Sequence, residues 1–442
     1  MKMRRLSVAA LSIALATASP ATSRAQAPAQ SPSAAQPDND ALLQAYKQSI
    51  SDASHGHYLD ASYGLLKTLG AATPEAIHDP DVFDQWSQVM STMTGMPTFN
   101  LAKGADFKVP AAEIAELRSA TGAPAIREIV ARARKTRIVI LDENHLDPRG
   151  RAFGLEVARA LRPLGYTVLA AEALRPCADD GEERRRMAQL ATDGYARAAG
   201  DFYSGYYLDD PVFADFIRQS LALGYRPVSY ETAGRDETNA QREQSQADNL
   251  LHRAVRAFPK AKILVYVGEH HLAERPIESE DKPYPKVAEL LKRMTGIDPL
   301  TIDQAGLSPI PMNRPDADLH AIAAARAAHG SVVLMRHGRP FTTGLLAGAV
   351  DLQVVHPPVR LVDGRPDWMP GMGRVATPVP RALLPSSGTR LVQAFPANAA
   401  ADARPIDQIL VEAGKPAPSL MLPQGAVRYG VQDWPGGTPA AR

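Results

Sequence analysis

A single cysteine, Cys177, stands in 442 residues. No internal disulfide can form, so a chain of this length must rest on a hydrophobic core, which it is long enough to build. Charge of one sign is also missing: 49 Lys and Arg against 48 Asp and Glu leave a net +1. Such a balance gives no electrostatic footprint for nucleic acid. Long apolar runs are absent as well, so the chain has no membrane span, and no internal repeat is visible.

What is present begins with an export signal. Lys2, Arg4 and Arg5 precede the apolar run Leu6 to Ala18, and Ser23-Arg24-Ala25 offers small residues at the cleavage positions. Ala25-Gln26-Ala27 offers them too, but Pro28 would directly follow that site, so the cut is placed after Ala25. No cysteine lies near to carry a lipid. Losing Lys2, Arg4, Arg5 and Arg24 turns +1 into −3. The expectation is a periplasmic protein of about 415 residues, enough for one large domain and a smaller one.

Five segments follow from the texture of the chain: signal 1–25, disordered linker 26–39, helical region 40–123, α/β domain 124–369, and a β-rich appendage 370–442. In the helical region Leu42, Leu43, Tyr46 and Ile50 repeat at helical spacing, as do Tyr63, Leu66 and Leu69. His55, His57, Trp86 and Met90 there read as exposed or core residues. Farther on, apolar runs at 138–141, 167–171, 226–230, 263–267, 300–303 and 331–335 alternate with helical patterns. That alternation predicts a doubly wound, mostly parallel sheet with helices on both faces. The short connection from the first run to the second predicts that these two strands pair side by side.

Chemistry collects outside the carboxyl ends of such strands. The first run ends in Asp142-Glu143-Asn144-His145, the second in Glu172, the third in Tyr230-Glu231, and the fourth in Gly268-Glu269-His270-His271. Acids and imidazoles converging there have two main uses. A divalent metal can be held by Glu143, His145 and His271 with an open position for water. Alternatively a carboxylate orients a histidine that takes a proton from water, with no metal. Haem or iron is a third option, since His and Tyr ligate iron. The dense aromatics Phe202, Tyr203, Tyr206 and Tyr207 line a pocket or fill a satellite core under a loop.

The motifs resemble those of the ChaN-like superfamily, which unites haem-binding uptake proteins, Tiki/TraB proteases and erythromycin esterases. Glu143-x-His145 followed by Asp147-x-Arg149 is similar to its opening motif, Ala171-Glu172 to its second, the Arg242 to Asn249 helix to its third, and Gly268-x-x-His271 to its closing one. The resemblance spans about 125–340; Asp142 stands where the family has glycine, and Pro148 comes one position early. It implies an exported hydrolase, esterase- or protease-like, or else a haem or iron binder without catalysis. Glu143, His145, Glu172 and His271 would be catalytic, and Tyr230, Glu231, Arg242 and His270 would contact a small-molecule or peptide ligand. A rival resemblance lies in Arg336-His337-Gly338, similar to the Arg-His-Gly of histidine phosphatases, although no second catalytic histidine follows it.

Overall fold

The computed structural model describes residues 39–71, 74, 77, 79–97, 110–200, 202–234, 236–277, 283–308 and 317–434. The export signal and linker residues 26–38 lie outside them. Helices α1 (Asn39–Ser54), α2 (Leu65–Thr68) and α3 (Pro80–Thr94) form the N-terminal region. Helix α4 (Ala111–Ser119) and strand β1 (Thr121–Pro124) lead into the α/β part. There α5 (Ala125–Ala133), β2 (Ile138–Glu143), α6 (Pro148–Leu161), β3 (Tyr166–Ala171), α7 (Asp180–Asp193) and α8 (Pro211–Ala222) follow in turn. Next come β4 (Arg226–Ser229), α9 (Asn239–Asn249), β5 (Lys262–Gly268), α10 (Val287–Thr295), β6 (Leu300–Asp303) and α11 (Ala317–Ala324). Strands β7 (Val332–Arg336), β8 (Arg339–Pro340) and β9 (Leu352–Val355) complete the large sheet.

The sheet runs β1-β7-β9-β6-β2-β5-β3-β4, and its stretch from β9 to β4 is parallel throughout. Alternation along the strands sorts the core into two layers. Val139, Leu141, Leu169, Leu264 and Tyr266 face α6 and α8, whose Phe153, Phe213 and Phe216 pack on them. Ile138, Ile140, Val168, Val265 and Val267 face the other way, against Leu250 and Leu291. The fold is thus mixed α/β with a large, mostly parallel sheet, as expected. Among the described residues no helix is long and apolar enough to cross a membrane.

Two expectations about the sheet are corrected. Strands β2 and β3 are not neighbours: β5 lies between them and pairs with both. Its run Ile263–Val267 is buried throughout, as suits a strand paired on both edges and covered on both faces. The strand at 331–335 belongs to the sheet but runs antiparallel, to β9 on one side and β1 on the other. Its end therefore lies at the edge opposite the acids, where His337 (φ 49°) and Gly338 (φ 72°) form the turn of a hairpin between β7 and β8. Arg336-His337-Gly338 is a turn, not part of the strand-end cluster.

The remaining strands form smaller sheets of two or three strands. Leu361–Val362 (β10) and Arg365–Pro366 (β11) flank an Asp363-Gly364 turn with both residues at positive φ, as that dipeptide favours. Val375–Thr377 (β12) pairs with Leu420–Leu422 (β15), and Thr389–Pro396 (β13) lies between Asp407–Glu412 (β14) and Val427–Trp434 (β16). This β-rich region packs on the N-terminal helices. Leu391 joins the core of Tyr58, Leu66, Trp86 and Met93, and buried Arg404 donates to the carbonyls of Ala53 and Ser54, each at 2.9 Å.

The layer under α6 is tight. A Cβ on Gly154 would lie 2.9 Å from Tyr266 Cε2 and 3.0 Å from Phe216 Cε1. Alanine there gains helix propensity worth up to about 1 kcal/mol, but it overpacks two rings locked from both sides, a cost of about 1–3 kcal/mol. Gly154→Ala should therefore lower stability in urea unfolding. A gain would show that the rings yield freely.

Candidate functional site

Strand β2 is buried along its whole length and delivers Glu143 to the carboxyl edge. Past it, Asn144 Oδ1 accepts from Leu146 N at 2.9 Å, and Asp147 caps α6 by accepting from Arg149 N at 3.0 Å, with Pro148 fitting the first helical position. This turn aims His145 back at the strand end, where its Nδ1 lies 2.9 Å from Glu143 Oε1. The other oxygen of Glu143 accepts from Arg151 Nε at 2.8 Å, and Arg151 also donates to Asp210 Oδ2 at 2.7 Å and to the His145 carbonyl at 2.9 Å. Burial opposes the charge on Glu143, but Arg151 and His145 outweigh it and lower its pKa. An ionised Glu143 can only accept, so Nδ1 of His145 carries a proton, and in the neutral imidazole it is Nε2 that holds the lone pair.

The second half of the site is built on β3, β5 and α9. Glu172 accepts from Gly268 N and from Arg242 Nη2, and Arg242 also reaches both oxygens of Glu231. Burial opposes charge on Glu172, and His271, Arg242 and His145 reverse that, holding its pKa far below the usual carboxylate range. Glu231 moves the other way: burial and Glu172 raise its pKa against Arg242. Next to Arg242 on the same helix, Glu243 Oε1 holds His271 Nδ1 at 2.9 Å, while Val287 N donates to Oε2 at 2.8 Å. Burial disfavours charge on His271, but Glu243 and Glu172 together raise its pKa. When charged, its Nε2 faces Glu172 Oε1 at 3.4 Å; when neutral, that nitrogen accepts from Arg242 Nη1 at 3.2 Å.

The halves meet over Gly268. A Cβ there would lie 3.0 Å from both His145 Nε2 and Glu172 Oε2, so the missing side chain is what lets them approach. Glu143, His145, Glu172, Glu231, Arg242 and His271 are thus brought together. The cluster is partly exposed: the side chains of Glu172, His271, His145 and Arg242 are 11%, 13%, 15% and 29% exposed.

Two expected members are not in the cluster. Tyr230 is fully buried in the core layer, and its hydroxyl donates to the Tyr266 carbonyl at 3.1 Å. It follows Ser229 at the end of β4, and alternation turns it inward, so it cannot contact a ligand. His270 takes a left-handed backbone (φ 68°), and burial, helped by Lys286 and His271, lowers its pKa to about 4. It is a neutral neighbour. A metal on Glu143, His145 and His271 does not fit either. Both oxygens of Glu143 are engaged, Arg242 holds the cation position beside Glu172 and His271, and among the described residues no group of three acids, histidines or cysteines is disposed around an ion.

No family model matches the sequence, and no curated protein matches it. Among solved structures the chain is similar to the haem-binding ChaN of Campylobacter jejuni, at 9% identity over 52% of this chain and 92% of that one, TM-score 0.33. It is also similar to RRSP, an effector domain of a Vibrio vulnificus MARTX toxin, at 14% identity over 66% and 70%, TM-score 0.30. A third is the type III effector HopBA1, at 15% identity over 46% and 94%, TM-score 0.28. These likenesses are shallow, and no role is transferred from them.

Sequence reasoning missed Arg151, Asp210 and Glu243 as site residues. Arg149 is the arginine the opening motif singles out, yet its guanidinium donates away from the site, to the Pro357 carbonyl. Arg151, on the helix face turned to β2, is the one that counts. Tyr207 comes from the aromatic stretch and stacks on His145, with ring centroids 4.2 Å apart.

Asp142 alternates to the opposite face, where it lies with Asp303 and Glu269. Burial and Asp303 raise its pKa well above the usual range, and among the described residues its Oδ2 has no donor, as a protonated carboxyl accounts for. Burial, Asp303 and Glu143 likewise push Glu269 from 4.5 up to about 8. The folded chain therefore binds more protons at Glu269 than the unfolded chain between those values. Stability should fall as pH rises through that interval, by at most about 1.4 kcal/mol per unit from this group. Glu269→Gln should flatten the slope of urea stability against pH. An unchanged slope would contradict the assignment.

Proposed function

We propose that the chain is an exported member of the ChaN-like superfamily that hydrolyses an acyl bond, ester or peptide, in a small-molecule or peptide ligand. The observation that carries this is the carboxylate-backed imidazole: Nδ1 of His145 on Glu143, with Nε2 turned over Gly268 toward Glu172. That arrangement fixes the basic nitrogen over Gly268, where it takes a proton from water as the water attacks a carbonyl carbon. Arg151 keeps Glu143 ionised, so the imidazole keeps its tautomer and its positive charge is stabilised as it forms. On the far side His271, backed by Glu243, supplies the proton to the leaving group, and Arg242 offers N–H groups to developing negative charge. Glu172 holds Arg242 and His271 in register. Binding of haem or iron rests on the resemblance alone.

The test uses the purified protein with a panel of chromogenic acyl esters and fluorogenic peptides. Turnover should survive excess chelator, and His145→Ala should lower it by about 10²–10⁴-fold with the circular dichroism spectrum unchanged. Loss of turnover to chelator, restored by zinc, would overturn the metal-free form. No turnover at all, with a haem absorption band that His145→Ala abolishes, would overturn hydrolysis. The export half is checked separately: sequencing of secreted material should begin at Gln26, and an intact Met1 would contradict it.

A further inference from the structure

We infer that Tyr207 is the positioning residue of His145, its ring fixing the imidazole plane in which Nδ1 meets Glu143 and Nε2 faces Gly268. The inference takes its purpose from the hydrolytic site above, but its geometry stands without it. One hydrogen bond to Nδ1 leaves an imidazole free to pivot about that contact. The second constraint is a face: the two rings are 16° from parallel with centroids 4.2 Å apart, an offset stack. Tyr207 is itself held at φ 56°, a left-handed conformation rare for a bulky side chain and retained only where surroundings over-determine it.

Those surroundings can be named. Asp210 N donates to the Tyr207 carbonyl at 3.1 Å, and the Asp210 side chain is the one that holds Arg151. Upstream, Gly205 bridges to Leu174, and Arg175 N donates to the Ser204 carbonyl at 3.2 Å. A Cβ on Gly205 would lie 2.0 Å from the Ala173 carbonyl oxygen, so glycine alone lets the segment come this close to the exit of β3. The 202–210 segment is thus pinned on both sides of Tyr207 and presses its ring onto His145. Burial, with Glu172 and Glu143 nearby, raises the Tyr207 pKa, so the ring adds no charge to the pair it orients.

The readout is the proton resonances of the His145 ring, assigned with His145→Gln, and its tautomer from isotope-labelled histidine. In the wild-type protein the ring protons should be displaced upfield by the stacked tyrosine and the nitrogens should report one tautomer, protonated at Nδ1. Tyr207→Phe should preserve both features. Tyr207→Leu, which keeps bulk without an aromatic face, should lose the upfield displacement and average the tautomers. Gly205→Ala, which touches neither ring, should do the same by lifting the segment. Absence of the displacement in the wild-type protein would overturn the inference with no variant needed. So would a Tyr207→Leu protein with the wild-type tautomer, or a Tyr207→Phe protein as disordered as the leucine variant. A protein that shows the displacement yet hydrolyses nothing would refute the hydrolytic site and leave this inference intact.

Discussion

Everything at the carboxyl edge depends on Arg151 and Arg242. Parallel strands ending side by side bring Glu143, Glu172 and Glu231 into a space with little water, where unpaired carboxylates would take up protons and lose their acceptor roles. Arg151 spans Glu143 and Asp210, and Arg242 spans Glu172 and Glu231, so each guanidinium is shared by two acids. A planar fork with several donors suits this better than a compact ammonium. Glu143 and Glu172 are held below the usual range in this way, whereas Asp142 and Glu269, which no arginine reaches among the described residues, are pushed above it by burial and by Asp303.

Both arginines come from the N-terminal turns of helices, α6 and α9, that follow or face the strands they serve. Helix starts point free N–H groups and positive dipole ends at the same edge, so they attract the acids that the arginines then neutralise. The β-rich C-terminal region adds support from a distance. Arg374, fully buried, pairs with Asp215 of α8 at 2.8 Å, the helix whose cap, Asp210, anchors Arg151 and the backbone of Tyr207. A chain without disulfides thus ties its later segments to the site through buried ion pairs. Such pairs, once broken, leave an uncompensated charge and are costly to lose.

Much of this was legible in the sequence, for a physical reason. Strands buried on both faces must be apolar throughout, so Ile138–Leu141 and Ile263–Val267 announce themselves, and the first polar residues after them mark the edge. That is why Glu143, His145, Glu172 and His271 can be set together from the sequence. What failed was lateral information. The apolar runs of β2, β3 and β5 are alike in sequence and equally buried, so nothing in them announced that β5 would lie between β2 and β3. The direction of β7 was equally hidden, and with it the meaning of Arg336-His337-Gly338. Residues supplied by helices were harder still. Arg149 and Arg151 look alike in sequence, and only the helix phase against β2 separates them. Tyr230 erred because the strand's alternation was not carried one residue past its end. The positive φ of Tyr207 leaves no trace in composition.

A single-turnover hydrolysis in heavy-oxygen water tests the chemistry most directly, using an acyl ester that the protein cleaves. If His145 activates water, one heavy oxygen should enter the released acid and none should enter the protein. Heavy oxygen found in the carboxylate of Glu143 or Glu172 after digestion would show that a side chain, not water, attacks the carbonyl, and would contradict general-base catalysis by His145.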